Sequence, residues 1–171
     1  MRRLILIRHA KSSWSDPDLA DHDRPLNQRG RMAAVLMGAW LAERGHRPEV
    51  VLCSSSLRTQ ETAARLRMAL PALPEPVVRA DLYHADPADM LRVVQATPEA
   101  VSTLALIGHQ PGLGAFTRRL ATADTPASCL RAYQKFPTAA CAVLEHDGAS
   151  WADLAFGAAR FVAFAVPREL V

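Results

Sequence analysis

Hydrophobic positions in this chain fall into short unbroken runs and helical stripes, and the two alternate. Leu4-Ile5-Leu6-Ile7 is an aliphatic run between charged neighbours, which predicts a strand buried on both faces. Residues 11–25 (KSSWSDPDLADHDRP) are polar and rich in Ser, Asp and Pro, the composition of a loop. Asn27 is placed to cap a helix from about Gln28 to Arg44, with Met32, Val35, Leu36, Ala39 and Trp40 as its apolar stripe and Gly45 ending it. Val50-Val51-Leu52-Cys53 predicts a second strand, and Ser54-Ser55-Ser56 opens a helix from about Leu57 to Leu70, closed by Pro71. Val77-Val78 is a short strand candidate. Asp86 and Pro87 start a helix carrying Met90, Leu91 and Val94 and ending near Ala96.

The pattern continues with a strand from Thr103 to Ile107, then Gly108-His109-Gln110-Pro111-Gly112 and a helix with Leu113, Phe116 and Leu120 on one side. Residues 123–137 read as loop. Two strands close the chain, about Ala139 to Glu145 and about Ala159 to Val166, with a turn at Asp147-Gly148 between them. Strand and helix alternate until that last pair. The expected fold is therefore an α/β three-layer sandwich: a mostly parallel central sheet, helices on both faces and an antiparallel edge strand. No linker or repeat interrupts the pattern, so residues 1–171 are expected to form a single domain.

Composition narrows the function classes. Half of the 171 residues are hydrophobic and 22% are charged, the balance of a globular chain with a real core. The net charge is +3 and no Lys/Arg block occurs, so nucleic acid is not an expected partner, whereas a small anion is compatible. No run approaches the ~20 apolar residues of a membrane span, and the segment after Arg2-Arg3 is too short for a signal peptide. Cys53, Cys129 and Cys141 match neither a disulfide framework nor a zinc site. A reducing, cytoplasmic setting with no metal is the expectation.

Chemistry concentrates at predicted strand ends. Arg8 and His9 follow the first strand, the serines and then Arg58 follow the second, and His109 follows the strand ending at Ile107. In open α/β sheets ligands sit outside the carboxyl ends of the strands. Two guanidinium groups, two imidazoles and a helix N-terminus gathered there would form a pocket for a phosphate dianion, since Arg matches phosphate oxygens bidentately.

These residues resemble the histidine phosphatase superfamily. R-H-A-K-S after the first strand resembles its signature Arg-His pair, with Ala10 where the superfamily usually has Gly. R-P-L-N-Q-R-G-R-M-A-A (24–34) resembles its Leu-Ser/Thr-x-x-Gly helix start, and C-S-S-S-L-R-T-Q-E-T-A (53–63) its Ser-x-x-x-Arg-x-x-x-Thr-Ala block. G-H-Q-P-G-L (108–113) resembles its second-histidine motif. The blocks stand in the family's order and cover the chain to about residue 120. R-H-A-K-S-S-W and G-H-Q-P-G-L are most similar to the SixA-type phosphohistidine phosphatases.

The resemblance implies a phosphoglycerate mutase-like fold and a metal-independent phosphatase needing no cofactor. His9 would take the phosphoryl group, Arg8, Arg58 and His109 would hold its oxygens, and water would release inorganic phosphate. Ser15 stands where many relatives have Asn and would add a hydrogen bond to phosphate. Many relatives also carry an acidic residue after the third strand as general acid. Here that region reads R-A-D-L-Y-H-A-D-P-A-D (79–89) with no clear equivalent: Asp81 suits a turn, Asp86 and Asp89 a helix start, His84 a rim. Lack of an acid favours a labile leaving group, hence phosphohistidine on a protein, in phosphorelay-type signalling.

Small phosphate esters are the alternative substrate, and a phosphoprotein-binding module without turnover is the alternative class. A cysteine-based phosphatase built on Cys53 and Arg58 is disfavoured, because four residues rather than five separate them and none is Gly. A mutase would need a longer lid and the missing acid. A nucleotide-binding loop would need a Gly-Lys-Ser/Thr or G-x-G-x-x-G motif that is absent.

Overall fold

A computed structural model describes residues 1–171. Its sheet comprises β1 (Arg2–Arg8), β2 (Val50–Ser54), β3 (Val77–Arg79), β4 (Thr103–Gly108), β5 (Cys141–His146) and β6 (Arg160–Ala165), in the spatial order β3-β2-β4-β1-β5-β6. The β1–β4, β4–β2 and β2–β3 pairs are parallel, and β5 runs antiparallel to both β1 and β6. The helices are α1 (Gln28–Glu43), α2 (Leu57–Ala69), α3 (Pro87–Gln95), α4 (Gly112–Leu120) and the one-turn α5 (Ala127–Leu130).

Alternation along each central strand divides the core into two layers. Leu4 and Leu6 of β1, with Leu104 and Leu106 of β4, pack beneath α3 and α4 against Met90, Val94, Leu113 and Phe116. Ile5 and Ile7, with Ala105 and Ile107, face α1 and α2 and meet Met37, Leu41, Ala63 and Leu66. Both faces of β1 are covered, which is why its sequence is a continuous aliphatic run. The architecture is the expected three-layer sandwich, with antiparallel pairing at the β5–β6 side.

Three local expectations are corrected. The buried face of α1 is Gly30, Ala34, Met37, Gly38 and Leu41 with Trp40, whereas Met32 is exposed and Val35, Leu36 and Ala39 are half-buried. The face is chosen by close approach to α2: a Cβ on Gly38 would collide with the Leu66 carbonyl oxygen. Small residues, not large ones, mark that contact. Residues 123–137 are not all loop, since α5 and a 3₁₀ turn (Arg131–Tyr133) bury Cys129, Ala132 and Phe136; a helix this short shows no periodicity. Asp147-Gly148 is not a tight hairpin. The chain makes a longer excursion between β5 and β6, drawn down by the fully buried Trp151, whose Nε1 donates to the Val101 carbonyl at 2.7 Å.

Candidate active site

The central strands explain why distant residues meet. In register, Arg8 of β1 stands beside Gly108 of β4, and Cys53 of β2 beside Ile107. His9, Ser54 and His109 therefore leave the sheet at one end, on three neighbouring strands. The His9 and His109 ring centroids are 5.3 Å apart, with their planes at 53°. Arg58 enters from the first turn of α2, which Ser56 caps, and its Nη2 lies 3.4 Å from His109 Nδ1. Arg8 Nη1 donates to the Phe136 carbonyl at 2.9 Å, and its buried Nε has no partner in the protein.

Each imidazole is fixed in one tautomer. A carbonyl only accepts, so the 2.7 Å contact of His9 Nδ1 with the Ala10 oxygen places the proton on Nδ1 and leaves a lone pair on Nε2. A guanidinium only donates, so His109 Nδ1 accepts from Arg58 and its Nε2 donates to the buried Ser54 Oγ at 2.7 Å. The backbone around His9 is held from three sides. His9 N–H donates to the Gly108 carbonyl (3.0 Å), Ala10 N–H to Thr62 Oγ1 (2.9 Å), and Ala139 N–H to the Arg8 and His9 carbonyls (3.1 and 3.0 Å). Ala139 adopts φ +60° to do so, a left-handed conformation uncommon for a residue with a Cβ. Ser54, Arg58 and Thr62, spaced by four, thus orient His109, point into the pocket and clamp the His9 loop.

Electrostatics keep both rings neutral in this state. Burial first, then Arg58 and Arg8, lower the His9 pKa to about 4, against the opposing Ala10 hydrogen bond and Asp21. Burial, His9 and Arg58 lower that of His109 to about 3. Burial and Arg58 likewise draw the Arg8 guanidinium below its ordinary value. Two cationic forks beside two neutral imidazoles, one with an open lone pair, suit a phosphoryl dianion and a nitrogen nucleophile. His, Cys, Asp and Glu side chains nowhere form a group of three able to hold a metal ion.

Asp21 is the carboxylate at this cluster, and the sequence pattern presents it only as one polar residue of a loop. Arg58 donates to its backbone carbonyl (2.7 Å) and to its Oδ2 (3.0 Å), and the Tyr83 hydroxyl donates to the same oxygen (2.5 Å). The Tyr83 hydrogen bond, followed by those from Arg58, outweighs burial and holds the Asp21 carboxyl below its usual range. Tyr83 packs edge-on to His109 at 5.4 Å and to His22 at 4.8 Å, and lies 3.9 Å from His84. No spacing rule links Asp21 to Arg58. The available signal was an acidic residue in the loop leaving the first strand.

The remaining candidates make no hydrogen bond to His9, His109, Arg8 or Arg58. Ser15 is exposed and its hydroxyl bonds to Ser13 Oγ at 2.9 Å, in a loop where Arg24 stacks 3.9 Å over Trp14. Asp81 pairs with Arg79, while Asp86 and Asp89 cap α3 reciprocally. His84 lines a cavity of about 310 Å³ with His109 and Asp86. The Cys53 thiol donates to its neighbour's carbonyl and burial pushes its pKa up to about 12, so it is no nucleophile.

This site and fold define a class. The sequence profile of the histidine phosphatase superfamily (branch 1) matches residues 4–90, and the chain belongs to that superfamily. An uncharacterized protein of Mycobacterium tuberculosis is 38% identical over 95% of this chain and 100% of its own length. Among solved structures, the chain is similar to a candidate phosphohistidine phosphatase SixA from Nakamurella multipartitia, with 32% identity, TM-score 0.83 and coverage of 97% of this chain and 96% of that one. It is also similar to the protein histidine phosphatase SixA solved with tungstate, with 25% identity, TM-score 0.81 and 99% coverage of both chains. No helix is long and apolar enough to cross a membrane.

Proposed function

We propose that the chain is a phosphatase that carries a phosphoryl group on His9 and takes it from phosphohistidine on a protein. The observation that supports this most is the His9 ring, protonated at Nδ1 by its bond to Ala10 and open at Nε2 beside Arg8 and His109. In the proposed cycle Nε2 attacks phosphorus in line as the substrate's P–N bond breaks. Arg8, Arg58 and His109 hold the phosphoryl oxygens; a dianion in the pocket draws a proton onto His109 Nδ1, turning it from acceptor into donor. Phospho-His9 keeps its Nδ1 proton, so it is itself a good leaving group when water attacks phosphorus and inorganic phosphate departs. The tungstate bound by the SixA relative is an oxyanion of the same shape class.

The finer substrate reading rests on Asp21. An alkoxide needs a proton from a general acid, and the one carboxyl at the cluster is held in its ionised form. An imidazole needs something else: a carboxylate that keeps its far nitrogen protonated, so that it departs neutral. Asp21, braced by Tyr83, is suited to that role and not to the first. The enzyme should therefore hydrolyse phosphohistidine far faster than phosphoserine or sugar phosphates measured side by side. His9→Ala should lose turnover while still binding phosphate weakly. Equal activity in that variant, or a preference for monoesters, would overturn the proposal.

A further inference from the structure

A groove of about 380 Å³ opens beside the candidate site, and Lys11, Arg29, Lys135 and Arg168 surround it. None of these cations has a carboxylate partner. Several other surface arginines do have one: Arg67 pairs with Glu75, Arg92 with Asp89, Arg131 with Glu169 and Arg160 with Asp147. The floor is apolar, formed partly by Met32 and Leu36, the α1 residues that the helical stripe assigned to the core; Met32 is 60% exposed.

The groove's walls adjoin the segments that hold the site. Lys11 follows His9 by two residues. Lys135 precedes Phe136, whose carbonyl holds Arg8, and Thr138 on the groove wall precedes Ala139, which holds the His9 loop. A lone phosphate ester is engaged by the arginines and imidazoles and leaves this groove unused. A polypeptide bearing the phosphoryl group extends beyond them.

Resting on the functional reading above, we propose that this groove docks an acidic segment of the phosphohistidine-bearing substrate protein, an apolar side chain of that segment seated between Met32 and Leu36. Four unpaired cations are complementary to such a segment. They oppose a second copy of this chain, whose net charge is +3.

The test uses an acidic histidine-phosphotransfer domain phosphorylated with phosphoramidate, and free phosphohistidine as the small substrate. The double variant Arg29→Glu/Arg168→Glu should lower kcat/KM for the domain by about tenfold or more, mostly through KM, and flatten its salt dependence, with free phosphohistidine changed less than about twofold. Lys135→Glu alone should do the same to a smaller extent. Unchanged turnover of the domain, or an equal loss on both substrates, would overturn the docking proposal. So would a wild-type dimer that the double variant dissociates. Wild type inactive on both phosphohistidine substrates would instead overturn the functional reading. Titration of the unphosphorylated domain into wild type and variant then tests the groove alone, and equal affinities would refute it.

Discussion

Asp21→Asn separates the two tasks assigned to the Asp21 carboxylate, because it should move two measured quantities in opposite directions. The first is phosphate affinity. Asp21 and Arg58 meet at 3.0 Å, with the Arg58 side chain 9% exposed and that of Asp21 47% exposed. A charge pair near 4 Å gains ~4 kcal/mol at an effective dielectric of 20, and screening at a half-exposed carboxylate reduces this to about 1.4 kcal/mol. Releasing Arg58 from that pair should tighten inhibition by inorganic phosphate about tenfold. The second is departure of the imidazole. Losing about one pKa unit of support at its far nitrogen costs ~1.4 kcal/mol, a tenfold fall in kcat for phosphohistidine above neutral pH. The amide oxygen still accepts from Tyr83, so the loop should stay in place. The assay is kcat for free phosphohistidine at pH 8 together with the inhibition constant of phosphate. An inhibition constant that does not fall, or a kcat that is unchanged or rises, would refute the reasoning.

Two further outcomes concern stability. Gly38→Ala should destabilise the protein by about 1–3 kcal/mol in urea unfolding, because its methyl group meets the Leu66 backbone across the α1–α2 contact; an unchanged midpoint would show that the helices separate freely. Stability should also fall with pH between 6.5 and 4. His9 and His109 stay neutral to about 4 and about 3 when folded, whereas the unfolded chain protonates them near 6.5. The unfolded state then binds more protons, so this stability is complete above pH 6.5 and is lost as pH drops through the window. The loss is on the order of 3 kcal/mol after discounting the partly exposed His109. His109→Gln should shrink the difference between urea midpoints at pH 7 and 4.5, and an unaltered difference would count against the buried neutral rings.

The strands and the polar groups at their ends were legible because they are written in local pattern. A doubly covered strand must be a continuous aliphatic run, and the residues directly after such a run emerge at the sheet's carboxyl edge. The block from Ser54 to Ala63 was legible for a similar reason, since a spacing of four keeps Arg58 and Thr62 on one helical face. Asp21 and Tyr83 were not, because a contact 62 residues apart between loops leaves no periodic trace. Nor was the inner face of α1, where Ala34 and Gly38 outcompete Met32 and Val35 by letting two backbones approach. Hydrophobicity alone ranks those positions in the wrong order.

The segment from Phe136 to Ala140 has a bearing on biosynthesis. Phe136 receives Arg8, Ala139 ties down the carbonyls of Arg8 and His9, and the Ala140 carbonyl accepts the Arg8 N–H at 3.1 Å. A nascent chain that has emerged only through His109 already carries both histidines and both arginines, yet lacks the backbone that braces them. The backbone that braces Arg8 and the His9 loop is therefore complete only once the segment leading into β5 has been made and has docked beside β1.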